Sequence, residues 1–157
     1  MIAHRNASGN KAVAETAGSR GRRLLIPIIA AVLLAPAYPA FVFAYTWSHV
    51  VRSNLSGGWN GPLDAYRHTL ASAVVGFTLG PRAVTWATWA MESAGNDANR
   101  MDRHNNLIGA DIGAHAHSLS DIEPAVHAQV LRGAVNASDP RQVTWLPPAR
   151  WRASRFW

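Results

Sequence analysis

The densest polar cluster of the sequence is the stretch RMDRHNN, which runs from Arg100 to Asn106 and is followed shortly by Gly109. It holds carboxylate, imidazole and amide groups within about two helical turns. Asp102 and Asn106 are four residues apart, so a helix would place them on one face. Side chains of these types hold a metal ion or position a substrate.

Two further polar positions lie upstream of this cluster. Asp64 and His68 are also four residues apart, a spacing that lets the carboxylate orient the imidazole ring or lets both bind one metal ion. Glu92 lies between the two clusters in the sequence. Three antiparallel helices would bring all of these residues to one site.

We predict one shared site with three kinds of residue. Its members are His68, Glu92 and His104 as catalytic groups, Arg67, Asn105 and Asn106 as substrate-binding or positioning groups, and Asp64 and Asp102 as ligands of a divalent metal ion. In this hypothesis Glu92 or His68 acts as the general base. The alternative is a buried hydrogen-bonded network that only determines helix packing, as in a non-catalytic membrane accessory or immunity protein.

The stretch from Asp64 to Gly109 resembles a known group of bacterial domains. Its segments DAYRHTLASA, GPRAVTWATWAMES and MDRHNNLIGADIG look like a family of small exported, lipoprotein-borne or toxin-borne domains. Members of that family show an Asp-Ala-Phe/Tyr-Arg-His segment, a Gly-Pro pair, a Glu and a Met-Asp-x-His-Asn-Asn-x-x-Gly segment. The resemblance implies a helical site at the eight residues above and names no reaction. Many relatives place an aromatic residue where this chain has Leu70 and Ala71.

A second resemblance concerns Glu92 alone. The segment from Glu92 to Ala98, ESAGNDA, is similar to the Glu-Ser-x-x-Asn-x-x-Ala segment of lytic transglycosylases, which implies a general acid at Glu92. Such chemistry requires a carboxyl group with a raised pKa. The Gly-Leu-Met-Gln segment of those enzymes is absent from this sequence.

Another group of possible metal ligands lies near the end of the same region, at Asp111, His115, His117 and Asp121. Residues two apart diverge on a helix, so the two histidines would not face one ion. We interpret this group as a solvated helix end.

Helical periodicity predicts an all-α body of three to four short helices within residues 58–140, and no stretch alternates convincingly as a strand. The predicted helices are 63–79, 82–94, 101–116 and 120–131. The first has Leu63, Tyr66, Leu70, Val74 and Phe77 at helical spacing, and the second has the apolar residues Val84, Trp86 and Met91. Ser120 or Asp121 is predicted as the N-cap of the fourth helix, with Pro124 in its first turn.

Residues 24–47 contain no charged side chain and are long enough to cross a hydrocarbon core of roughly 30 Å. Residues 1–23 form a predicted disordered, basic tail, and the cluster Arg20, Arg22 and Arg23 indicates that it is cytoplasmic. Tyr45 and Trp47 suit the outer membrane interface. The competing interpretation is a signal peptide cleaved near Ala40. Both interpretations export the body.

The formal net charge of +6 is concentrated at the two ends of the chain. Residues 53–140 carry five arginines against eight acids, which argues against a nucleic-acid partner. The Trp- and Arg-rich tail, residues 141–157, either lies at the lipid interface or packs back over the helices. With no cysteine, disulfides and thiolate metal sites are excluded.

These observations predict a single-pass protein of the bacterial inner membrane whose body is periplasmic or extracellular. Its expected partner is membrane lipid, and its expected activity is hydrolysis of an envelope substrate, either phospholipid or cell-wall material.

Overall fold

The computed structural model describes residues 36–92 and 95–152. Contacts divide the chain into two units, Met1–Phe41 and Val42–Trp157, and the candidate site lies within the second. The described residues are mostly helical, as predicted. They form α1 (Ala37–Val50), α2 (Pro62–Leu79), α3 (Pro81–Met91), α4 (Asp97–His115), α5 (Leu119–Leu131), β1 (Ala134–Val135), β2 (Thr144–Trp145) and a 3₁₀ helix (Pro148–Arg150).

The packing of α2 against α4 forms the centre of the body. Of the apolar residues predicted to line α2, Leu63, Tyr66, Leu70 and Val74 are each at most 1% exposed, whereas Phe77 is 37% exposed. The two helices approach closely because glycines on α4 face α2. A Cβ atom at Gly109 would lie 2.2 Å from the carbonyl oxygen of Thr69 on α2, and one at Gly113 would lie 2.1 Å from that of Ala73.

The rest of the core comes from α5 and from the chain that follows it. Ile122, Val126 and Val130 recur every fourth residue along α5 and are fully buried against α2 together with Val143. An apolar stripe of this spacing faces one side of a helix, so α5 covers the core with a single face.

Two of the predicted helix boundaries need correction. Helix α3 ends at Met91, not at Ala94, and Glu92 is its C-cap residue. Helix α4 begins at Asp97 rather than at Met101, because the side chain of Asn96 accepts the backbone N–H of Asn99 at 2.8 Å and caps the helix there.

The start of α5 also differs from the prediction. Ser118 is the N-cap, and its backbone N–H donates to Asp121 Oδ2 at 2.9 Å in a capping box. Asp121 is therefore the third residue of the helix rather than its cap. Because the helix starts early, Pro124 lies inside it and not in the first turn.

The chain after α5 contains a short strand pair that the sequence pattern did not predict. Ala134 pairs with Thr144 and Val135 with Trp145 in parallel. Beyond it, Leu146 is 7% exposed and its carbonyl oxygen accepts the indole N–H of Trp151 at 2.6 Å. Residues 143–152 thus pack back onto the helices, one of the two predicted arrangements, while residues 153–157 lie outside the described part.

The predicted membrane span overlaps the described residues only in part, since residues 24–35 lie outside them. Tyr45 and Trp47, predicted at a membrane interface, pack against the hydrophobic core, and the Tyr45 hydroxyl donates to the carbonyl oxygen of Leu119 at 3.0 Å. None of the helices in residues 36–92 and 95–152 has the length and apolar character needed to cross a bilayer.

Candidate metal centre

Asp64, His68 and Asp102 form a compact cluster between α2 and α4. One ligand atom from each lies within 4.8 Å of the others. His68 Nε2 is 3.6 Å from Asp64 Oδ1 and 3.6 Å from Asp102 Oδ1. These distances exceed a normal hydrogen bond. They are close to the separation of about 3.4 Å between two tetrahedral ligands bound at about 2.1 Å to one ion.

Asp64 is held rigidly at the start of α2. Its Oδ2 atom accepts the backbone N–H of Asn60 at 2.6 Å, and the Arg67 guanidinium donates to its Oδ1 atom. Asn60 has a φ of 61°, a left-handed conformation that asparagine tolerates better than most residues. Both oxygens of Asp64 therefore have partners before any ion is considered.

Asp102 is in a different position. Its Oδ1 atom is buried and accepts no hydrogen bond from any residue in 36–92 or 95–152. Burial is the largest cause that raises the pKa of Asp102, to about 8; the charges of Asp64 and Glu92 raise it further, and Arg67 lowers it. A buried carboxylate without a partner is costly, so this group requires either a proton or a cation.

His68, the third member of the cluster, favours the neutral imidazole form that a metal ion requires. Burial lowers its pKa, Asp64 raises it, Arg67 lowers it and a hydrogen bond with Asn106 raises it. The net direction is downward, which favours the neutral imidazole. The His68 side chain remains 24% exposed, so the cluster is accessible from solvent.

Asn106 connects the helices around the cluster. Its Oδ1 atom accepts the Ser72 hydroxyl of α2 at 2.8 Å, and its amide donates to the Thr88 hydroxyl of α3 at 3.2 Å. The sequence analysis did not predict Ser72 and Thr88 as members of the site. Their spacing could have indicated them, because Ser72 follows His68 by four residues and Thr88 precedes Glu92 by four.

Glu92 and Arg67 interact with the cluster through their charges. Burial raises the pKa of the half-buried Glu92, Arg103 lowers it and Asp64 raises it. Arg103 also donates to the Glu92 carbonyl oxygen. Arg67, whose side chain is 20% exposed, has its guanidinium 5.9 Å from the centre of the Trp47 ring.

His104 and Asn105, predicted to act in catalysis and in substrate positioning, lie outside this cluster and contact the chain around residues 142–144. The Asn105 amide donates to the Thr144 carbonyl oxygen at 2.8 Å and accepts the Thr144 N–H at 3.0 Å. His104 Nε2 contacts the Gln142 carbonyl oxygen at 2.8 Å. Asn105 and Asn106 follow Asp102 by three and four residues, so helical spacing alone does not separate them; their hydrogen-bond partners do.

Replacing Asn105 with leucine should destabilise the body, because Asn105 is fully buried and the change leaves both backbone groups of Thr144 without their partner. We expect a loss of about 2 to 5 kcal/mol in the free energy of unfolding, measured by urea denaturation. Metal affinity per folded molecule should not change. His104→Ala serves as the comparison, because it changes the neighbouring residue on the same turn of α4. An Asn105 variant as stable as the parent would contradict a structural role for Asn105.

The predicted solvated helix end agrees with the structure. The side chains of His115 and Asp111 are 78% and 77% exposed, 3.4 Å apart, and Asp121 is occupied in the capping box of α5.

Comparison of the chain with family models, curated proteins and solved structures found no match. Both family resemblances therefore stay predictions. The residues and their geometry are the basis for the functional assignment.

Proposed function

We propose that the helical body binds one divalent metal ion through Asp64, His68 and Asp102 and uses it to hydrolyse an ester or phosphoester of the bacterial envelope. The observation that carries the proposal is the buried, unpartnered Oδ1 atom of Asp102, 3.6 Å from His68 Nε2. A cation at this point would interact with the two carboxylates and the neutral ring together.

The ligand types limit the choice of metal. One imidazole and two carboxylates suit Zn²⁺ or Mn²⁺ better than soft ions, which prefer thiolates. Three protein ligands leave coordination positions for water and substrate, as in catalytic rather than structural sites.

The proposed chemistry follows from two charged groups that interact with the cluster, Glu92 and Arg67. A divalent ion held by Asp64, His68 and Asp102 would supply the positive charge that lowers the pKa of water towards about 7. Glu92 would accept a proton from a water molecule, whose oxygen would attack the carbonyl carbon or phosphorus; as the bond to the leaving alkoxide breaks, Glu92 would return the proton to that alkoxide. Arg67 supplies a cation for the developing negative charge.

The envelope location rests on the sequence. The charge-free run 24–47, preceded by Arg22 and Arg23, supports an inner-membrane protein with its body outside the cytoplasm. Phospholipid and cell-wall material would then be the substrates within reach.

A structural network is the competing function, favoured by the two hydrogen-bonded oxygens of Asp64. In that case Asp102 stays protonated and binds no ion. The deciding experiment is calorimetric titration of the full chain with MnCl₂ at pH 6 and pH 8 in two buffers of different ionisation enthalpy.

The pH effect has a definite sign. Because the folded-state pKa of Asp102 is raised from 3.8 to about 8, the metal-free fold binds this proton more tightly than the unfolded chain does. Its stability contribution is complete below about pH 4 and is lost as the pH rises through about 8. Mn²⁺ must displace the proton, so affinity should rise roughly fiftyfold from pH 6 to pH 8, with about one proton released at pH 6. If Mn²⁺ binds neither at pH 6 nor at pH 8, the result would support the structural network.

Glu92→Gln separates catalysis from metal binding. Glutamine keeps the shape of the side chain but cannot accept a proton at neutral pH. Hydrolysis of bis(p-nitrophenyl) phosphate and of phosphatidylglycerol vesicles should fall by about a hundredfold or more, while Mn²⁺ affinity and melting temperature stay near those of the parent. A lower melting temperature with unchanged activity per folded molecule would show that Glu92 is structural.

A further inference from the structure

Helix α3 exposes its largest apolar side chains. Its buried residues are Val84 and Thr88, at 2% and 8% exposure, whereas Trp86 and Trp89 are both 72% exposed. An exposed pair of large aromatic side chains is unusual on a surface that contacts only water, and such patches mark interaction sites.

Three of the exposed residues of α3 form one stripe; Met91, which is 77% exposed, is the last residue of the helix and lies outside this stripe. Arg82, Trp86 and Trp89 have the spacing i, i+4 and i+7, which puts them on a common side of a helix. At about 100° per residue, this side is opposite Val84 and Thr88. We call Arg82, Trp86 and Trp89 the outer stripe.

The area of the outer stripe is too small for a stable protein dimer. One tryptophan buries roughly 150–250 Å², so a symmetric pair of stripes would bury about 600–1,000 Å² of tryptophan surface. Stable, specific interfaces bury about 1,600 Å². A lipid surface has no such requirement, because short amphipathic helices partition into the interface by area and charge.

Charge complementarity favours an anionic lipid surface. Among the four helices between Pro62 and Leu131, α3 is the one without an acidic residue, and its only charge is Arg82. Helix α4 carries three acids against two arginines and α5 carries two acids and no arginine or lysine, so anionic headgroups would repel both. Helix α2 has one acid and one arginine, whereas α3 would be attracted. Tryptophan prefers the headgroup level of a bilayer, since its ring is apolar and its N–H is polar.

We infer that α3 docks on an anionic lipid surface through the outer stripe Arg82, Trp86 and Trp89. The outer stripe runs along one side of this 11-residue helix, so contact with lipid through the stripe puts the helix in the plane of the interface. Its inner side holds Thr88, the partner of Asn106, and docking places the candidate centre about one helix diameter, roughly 10 Å, from the headgroups. The inference does not depend on a bound metal.

The absence of cysteine makes a site-specific test direct. Ala90, exposed next to Trp89, and Ala128, exposed on α5, are each replaced by cysteine in the full chain and spin-labelled. The proteins are reconstituted in vesicles of phosphatidylcholine with phosphatidylglycerol, and accessibility to oxygen and to a polar nickel complex is measured. Both variants contain the same N-terminal apolar segment, so their difference reports on α3.

The label at position 90 should show higher oxygen than nickel accessibility, and the label at position 128 should stay aqueous. The signal at position 90 should be lost in Trp86→Ser/Trp89→Ser and weakened when phosphatidylglycerol is omitted. An aqueous label at position 90 in anionic vesicles would overturn the inference. The inference would also be overturned if the label at position 90 were buried without lipid and the protein sedimented with twice its mass. That result would indicate that a second copy of the chain covers α3. These readings use no metal, so they are independent of the titration with Mn²⁺.

Discussion

Asp102→Asn should abolish the binding of Mn²⁺ while it stabilises the metal-free protein at alkaline pH. Asparagine has nearly the same shape but removes the charge of the ligand, and even partners that only orient a metal ligand contribute 10- to 100-fold to affinity, so we expect a loss of more than about a hundredfold. Without metal, the variant removes a carboxylate whose Oδ1 atom has no hydrogen-bond partner in the described chain. Its melting temperature at pH 9 should therefore equal or exceed that of the parent.

The opposite signs of these two effects distinguish a ligand from a structural acceptor. Asp111→Asn is the matched control, because Asp111 is an acid on the same helix whose side chain is 77% exposed. It should change neither quantity. If Asp102→Asn lowered the melting temperature without metal and left Mn²⁺ affinity unaltered, Asp102 would belong to a structural network instead.

Gly109→Ala should prevent the close contact of α2 and α4. The added Cβ atom would lie 2.2 Å from the carbonyl oxygen of Thr69 and 2.9 Å from Cβ of Ser72, and neither is the end of a flexible side chain. One helix must move, which we expect to cost about 3 kcal/mol or more and to lower the melting temperature by more than about 10 °C. Asp64 and Asp102 lie on the two helices, so the folded remainder should also bind Mn²⁺ more weakly.

The control for this change is Gly95→Ala, since a Cβ atom at Gly95 would meet no atom of the described residues within 4 Å. That variant should melt within about 2 °C of the parent, as surface substitutions usually do. A Gly109 variant that also melted with the parent would show that the two helices are farther apart than described here.

Local periodicity was sufficient to predict α2, α3, α4 and α5, though not their exact ends, and the polar pairs on α2 and α4. Leu63, Tyr66, Leu70 and Val74 indicated the buried side of α2, because residues three and four apart share a helix face. The same rule paired Asp64 with His68 and Asp102 with Asn106. These pairings depend only on residues close together in the chain, so they can be derived from the sequence directly.

Tertiary packing decided which polar residues meet. The rotation of α4 follows from Gly109 and Gly113, which let one side approach α2 and thereby turn Asp102 and Asn106 towards His68. Asn105 is turned to β2 instead, where it pairs with Thr144. The apolar residues of α3 also could not reveal which side of the helix faces the core, since tryptophan at position 86 is as compatible with a core as with a surface.

The sequence alone determined the residue types of the candidate centre and the one polar pair on each of α2 and α4, because helical geometry is local. Only the tertiary structure decided that the Oδ1 atom of Asp102 lacks a hydrogen-bond partner among the described residues, that Asn105 is buried and that the tryptophans of α3 face outward. The physical reason is that burial and hydrogen-bond partners are properties of contacts between elements distant in the chain. Those contacts depend on the summed packing of the whole core and not on any one segment.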